Sequence, residues 1–219
     1  MNEIETIKYK NIDIKICQDD DPGSPREWDN IGIMVCDHGS YTLGDKKPSD
    51  VIDTENCNSW DDVKKELIKE LDPAIILPLY LYDHSGLRMK VGSFQGYLPQ
   101  GHAEFDSGQV GFILATKEKI RYEYSVKRIS KKVLKKAADY LAGEVKDYDD
   151  YLSGSVYGYI VEENDDSCWG YYGYNDMIAE AKSNIDYYLE TKRTEKQNKL
   201  KALIHNKVSL LKRQDLLTV

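Results

Sequence analysis

Between Ile7 and Cys17 the chain reads IKYKNIDIKIC, with Ile7 and Tyr9 before Asn11 and Ile12, Ile14 and Ile16 after it. Apolar side chains at every second position line one face of a strand and cannot line one face of a helix. The fold must therefore contain a half-buried sheet, with Asn11 as a turn or bulge. Other segments carry helical spacing. Ser59 stands before Trp60–Leu71, where Val63, Leu67, Ile68 and Leu71 form a stripe and Asp62 completes a capping-box-like pattern. Asp72-Pro73 ends that helix. Ser130 caps a second helix reaching Leu141, with Val133, Leu134, Ala137, Tyr140 and Leu141 on one side and Gly143 near its end.

The apolar runs 31–36, 74–82 and 110–115 read as further strands, and Pro78 places the second of them at an edge or bulge. Residues 116–124 are expected to form a short helix. Residues 156–161 and 168–172 flank the acidic stretch Glu162–Ser167, a hairpin signal. From about Asn175 the periodicity turns helical again through Ile178, Ala181, Ile185 and Leu189, then Leu200, Leu203, Ile204 and Leu211. A single helix to Arg213 would span about 55 Å, so the polar stretch Thr191–Lys199 predicts either a break or a projecting helix. These segments together predict an α+β fold, a mixed or antiparallel sheet with packed helices. The expected organisation is one domain over 1–175 and a helical extension over 176–219.

Charge narrows the partners. The chain carries 38 acidic and 30 basic side chains, a formal net charge of −8. Eight basic and two acidic residues fall between Thr191 and Val219, a net +6 that leaves −14 on the first 190 residues. A body so negative repels nucleic acid and is attracted to basic surfaces, including the grooves of proteins that hold DNA or RNA. The basic tail could bind nucleic acid itself or neutralise the body. Tyr148, Tyr151, Tyr157, Tyr159, Tyr171, Tyr172 and Tyr174 crowd the acidic hairpin region. Packing accounts for most of these rings. An exposed subset with Glu162, Glu163, Asp165 and Asp166 would give a binding face, with Tyr157, Tyr171 and Tyr172 as its anchors.

The first six residues have neither the basic flank nor the apolar stretch of a secretion signal, so a cytoplasmic protein with reduced cysteines is expected. Cys17 and Cys168 read as small buried hydrophobes. Cys36 and His38 share a strand face at the end of one apolar run, and Asp83 and His84 end another. A thiolate, imidazoles and a carboxylate are zinc ligands, so Cys36, His38, Asp83 and His84 form a candidate metal set, although their spacing matches no zinc-finger pattern. His102, beside Glu104 and Asp106, is a further candidate ligand in a glycine-rich loop. Neither G-x-S-x-G nor a phosphate-binding glycine motif occurs, which weakens serine-hydrolase and nucleotide-binding readings.

Seven stretches carry a resemblance. They are Ser24-Pro-Arg-Glu-Trp-Asp-Asn30, Met34-Val-Cys-Asp-His38, Tyr41-Thr-Leu-Gly-Asp45, Leu81-Tyr-Asp-His-Ser-Gly86, Asp106-Ser-Gly-Gln-Val-Gly-Phe112, Tyr151-Leu-Ser-Gly-Ser-Val-Tyr-Gly158 and Ser167-Cys-Trp-Gly170. Residues 20–175 resemble phage- and prophage-encoded accessory proteins, among them zinc-containing anti-CRISPR inhibitors of type II effectors. Gly39-Ser40 departs from the basic residues associated with that family, and the tail lies outside the resemblance. The resemblance implies a stoichiometric inhibitor rather than an enzyme, a host CRISPR nuclease as protein partner, blocked DNA loading and a structural Zn2+ held near Cys36, His38, Asp83 and His84. Two alternatives are a metal-dependent hydrolase acting on a nucleotide or defence signal, and a phage accessory protein without a counter-defence role.

Overall fold

A computed structural model of the chain describes residues 2–97 and 105–207. The opening alternation closes into a hairpin of β1 (Asn2–Tyr9) and β2 (Ile12–Gln18), with Ile7 opposite Ile14 and Tyr9 opposite Ile12. Lys10 and Asn11 form its two-residue turn at φ 48° and 66°. Two left-handed residues give a turn whose twist matches that of the strands it joins. The element order continues with β3 (Ile33–Cys36), α1 (Trp60–Leu71), β4 (Pro73–Asp83), β5 (Leu87–Val91), β6 (Ser107–Thr116), α2 (Lys117–Glu123), α3 (Lys131–Leu152), β7 (Val156–Val161), β8 (Asp166–Tyr172) and α4 (Tyr174–Lys207). The fold is α+β with two antiparallel sheets where a single sheet was expected. None of the described helices is long and apolar enough to cross a membrane.

The chain divides into two compact units, Met1–Asp20 with Tyr157–Val219, and Asp21–Val156. This partition differs from the expected boundary near 175. The cause is long-range pairing: β2 lies against β7 with Ile16 opposite Tyr159, so the N-terminal hairpin joins the C-terminal segment. In this unit the sheet order is β1-β2-β7-β8. Met177, Ala181 and Ile185, one helical face of α4, pack with Ile12, Ile14, Ile16, Tyr159 and Val161. Gly158 in β7 leaves room for Trp169 of β8, since a Cβ there would stand 2.3 Å from the indole. The helix is unbroken through 191–199, and at 34 residues is about 51 Å long.

In the unit Asp21–Val156 the sheet order is β3-β6-β4-β5. β6 is covered on both faces, which explains its nearly continuous apolar sequence. Phe112 and Leu114 meet Val63 and Leu67 of α1, whereas Ile113 and Ala115 meet Ile120 of α2 and Ala137 and Leu141 of α3. Ser59 caps α1 by accepting from the Asp62 amide, and Asp72 ends it in the left-handed region. Ser130 caps α3, which runs eleven residues past its expected end at Leu141, through Gly143 to Leu152. Pro78 does not sit on an edge strand. β4 lies between β6 and β5, and Pro78 stands beside the register shift at Leu79/Tyr80. Gly92 donates to the Pro78 carbonyl just past the last residue of β5. The nitrogen without a proton thus faces the place where that ladder stops, and no central hydrogen bond is lost.

Candidate functional site at the strand ends

Both β3 and β4 run antiparallel to β6, so they run parallel to each other and their C-terminal ends emerge at one end of the sheet. Cys36-Asp37-His38 and Asp83-His84 therefore fall at one end of the sheet, but on strands that are not adjacent, because β6 lies between β3 and β4. The Asp37 amide donates to Val110 and the Asp83 amide to Asp106, which fixes both ends against the start of β6.

The segment between β3 and α1 is held by a buried charge cluster. Ser24 caps the short turn Pro25–Glu27 and turns Arg26 inward. Its guanidinium meets Asp45 at 2.7 Å and Glu144 at 3.1 Å, with side-chain exposures of 6%, 21% and 5% for Arg26, Asp45 and Glu144. Glu144 also accepts the Ile31 amide at 2.7 Å and the Gly32 amide at 3.2 Å, and Asp45 accepts the Met34 amide at 2.7 Å. Burial works against the charge on Arg26, but the two carboxylates outweigh it and raise its pKa. Asp149, five residues further along α3, holds Arg88 at 2.7 Å and the Met89 amide at 2.7 Å. Composition and charge do not distinguish Glu144 and Asp149 from the acids around them. The helical phase of Leu141, Glu144, Val145, Tyr148 and Asp149 is the signal that places both on the core face.

Above this clamp the strand ends carry a run of rings. His38 stacks on Tyr41 at 5.0 Å between centroids and an interplanar angle of 19°. The Tyr41 hydroxyl bonds to the Asp83 carboxylate, which raises its pKa. His84 Nδ1 lies 3.3 Å from Asp106, and its ring stacks on Tyr82 at 6.0 Å. Tyr82 meets Phe94 at 5.7 Å, and Lys90 places its ammonium 3.3 Å from the Tyr97 ring centroid. Tyr97 is 77% exposed and Phe105, next to Asp106, 87%. Beside this run, Cys36, His38, Tyr41, Asp45 and Lys47 line a cleft of about 380 Å³. On the other side of Asp37, Cys57, Ser59 and Trp60 line one of about 350 Å³.

The four expected zinc ligands do not converge here. Cys36 points into the core at 1% exposure, where burial first and the Asp45 charge second push its thiol up to about 12. A zinc-ligating cysteine is a thiolate, and this environment opposes ionisation. His38 Nδ1 accepts from the Ser40 amide, while Asp83 is bonded to Tyr41 and His84 to Asp106. Among the described residues no three His, Cys, Asp or Glu side chains form a group that could hold a metal ion. His102 lies outside the described residues, as does the tail beyond 207.

The acidic hairpin also departs from its expected geometry. Glu162, Glu163 and Asp165 are exposed, Glu162 pairing with Lys15 at the surface, whereas Asp166 is half-buried and accepts from Tyr159 at 3.3 Å. Tyr157 and Tyr171 pack against the core with buried Tyr159, and Tyr172 is half-buried. β7 alternation is the reason, since it sends Tyr157, Tyr159 and Val161 toward α4. The rings expected to anchor a partner are thus largely spent inside. Cys17 is buried, Cys168 is half-buried against the same core, and all four cysteines are free thiols.

No family model, curated protein or solved structure matches this chain.

The strand-end surface therefore stands on its own chemistry. It combines flat exposed rings, carboxylates at positions 37, 83 and 106, and a clamped scaffold beneath. Such a surface can make contact area and accept hydrogen bonds from cationic side chains.

Proposed function

We propose that this chain works by binding, as a stoichiometric blocker of a protein that itself holds nucleic acid. The contact surface is the ring-and-carboxylate run at the ends of β3 and β4. The observation that carries this reading is the joining of His38, Tyr41, Asp83, His84, Asp106 and Tyr82 in one network, with Tyr97 and Phe105 exposed beside it. Rings give contact energy at small entropic cost, and carboxylates among them complement the lysines and arginines of a DNA- or RNA-holding cleft. The net charge of −8 adds long-range attraction to such a cleft. The resemblance of residues 20–175 to phage accessory proteins supports a counter-defence role, with a type II RNA-guided nuclease as the target and blocked DNA loading as the effect. The proposal uses no metal and no catalytic group.

The test is a titration of the chain into guide-loaded nuclease, read as target-DNA cleavage and as co-elution on a sizing column. Cleavage should fall to background near one equivalent, and Asp83→Asn with Tyr97→Ala should weaken the effect, the loss from Asp83→Asn being larger at low salt than at high. Full cleavage at large molar excess without co-elution would remove the nuclease as target. Inhibition far below one equivalent would replace the blocker with an enzyme.

A further inference from the structure

The packing of α4 is interrupted along its length. Tyr188 and Leu189 are its last residues against the core of its unit, every residue from 190 to 203 is exposed, and only Ile204 beyond them is buried again among the described residues. Between 191 and 203 this bare segment carries Lys192, Arg193, Lys196, Lys199 and Lys201 against the single acid Glu195. Lys192, Lys196 and Lys199 recur at i, i+4 and i+7 and so share one face. Lys192 lies 5.3 Å from the Tyr188 ring, and Arg193, Lys196, Lys199 and Lys201 form no ion pair with the described carboxylates. The segment therefore does not neutralise the acidic groups of its own unit. It is a helix with about one cation per turn, none of them in an ion pair with a described carboxylate.

From this we infer that the exposed part of α4 binds the phosphate backbone of nucleic acid. The three in-phase lysines span about 10 Å of helix axis, matching roughly three phosphates of one strand at about 3.4 Å each. A lipid surface fits less well, because the apolar side chains exposed in 190–203 are confined to Leu200, Ala202 and Leu203 at one end and an interfacial helix needs a broad apolar face. Binding is sequence-independent, since nothing on this face is placed to read bases. The acidic remainder of the chain keeps the contact weak and confined to the helix. This site is separate from the strand-end surface, and its failure would leave that reading intact.

The full chain is tested by fluorescence anisotropy with labelled single-stranded DNA, single-stranded RNA and duplex DNA of about 20 nucleotides, across a salt series. Binding should weaken linearly in log[salt]. The variant Lys192→Gln/Lys196→Gln/Lys199→Gln should reduce the magnitude of the slope by about 2 with the single strands and about 3 with the duplex. The matching lysine-to-arginine variant should retain the slope. Far-UV circular dichroism checks that helix content is unchanged, as glutamine is nearly as good a helix former as lysine. No binding at low salt, or equal binding by the glutamine variant, overturns the inference. So does a dimer in sedimentation that the glutamine variant abolishes, which would assign these cations to a second copy of the chain.

Discussion

Replacing Glu144 with alanine removes the acceptor for two buried backbone amides and one of the two carboxylates on a buried guanidinium. The Ile31 and Gly32 amides lie 2.7 and 3.2 Å from Glu144 Oε1, and nothing else in the cluster can take their place. Each orphaned buried donor costs about 1–3 kcal/mol. Arg26 keeps Asp45 but loses a partner at 3.1 Å while remaining 6% exposed. Breaking a buried ion pair from one side costs about 3–5 kcal/mol, and alanine recovers well under 1 kcal/mol in helix propensity. The expected net loss is at least about 4 kcal/mol, or a fall in melting temperature of about 8–16 °C. Glu144→Gln should cost about 2–3 kcal/mol, because its carbonyl still serves the amides while its NH2 faces Arg26. Asp139→Ala, exposed on the same helix, is the control and should stay within about 0.5 kcal/mol. Urea unfolding followed by tryptophan fluorescence reads all three, with Trp28 two residues from Arg26. A Glu144→Ala protein within about 1 kcal/mol of the parent would refute the clamp as the support of the 24–45 segment.

Two further outcomes follow from burial. Cys36 should react with a thiol reagent far more slowly than half-buried Cys57 in the native protein, and at a comparable rate after unfolding. Mass spectrometry of the alkylated peptides measures this, and zinc-dependent protection of Cys36 together with a raised melting point would restore the ligand set read from the sequence. The unit holding β7, β8 and α4 should lose stability above pH 10. Burial raises the pKa of Tyr159 and Tyr171, and a bond to Glu5 pushes Tyr174 up to about 12. Groups with raised folded values stabilise fully below the unfolded pKa near 10, and that contribution is lost as pH climbs through the folded values. Melting temperatures flat between pH 9 and 12 would contradict it.

Local pattern was enough for most elements. The isoleucine alternation, the Ser59 and Ser130 caps and the Asp72-Pro73 stop each depend on neighbours within a few residues, and each appears where it was read. The kinship of the two strand ends was legible for the same reason, since apolar runs with polar ends mark where strands finish. What their side chains do there was not. Cys36 and His38 share a strand face only while the strand lasts, and it ends at Cys36. Alternation then delivers the thiol to the core, and the loop swings His38 onto Tyr41. The same limit applied to the tyrosines: composition counts rings but does not say which side of β7 the helix covers.

Residue order alone therefore determined strands, helices, caps and the split between an acidic body and a basic end, because these follow from spacing and charge along the chain. Only the tertiary structure decided that Met1–Asp20 folds with the C-terminal segment, that Glu144 and Asp149 are interior clamps, and that the lysines of α4 stand in solvent. Each of these depends on contacts between residues far apart in sequence, where burial and pairing, rather than local preference, set the free energy.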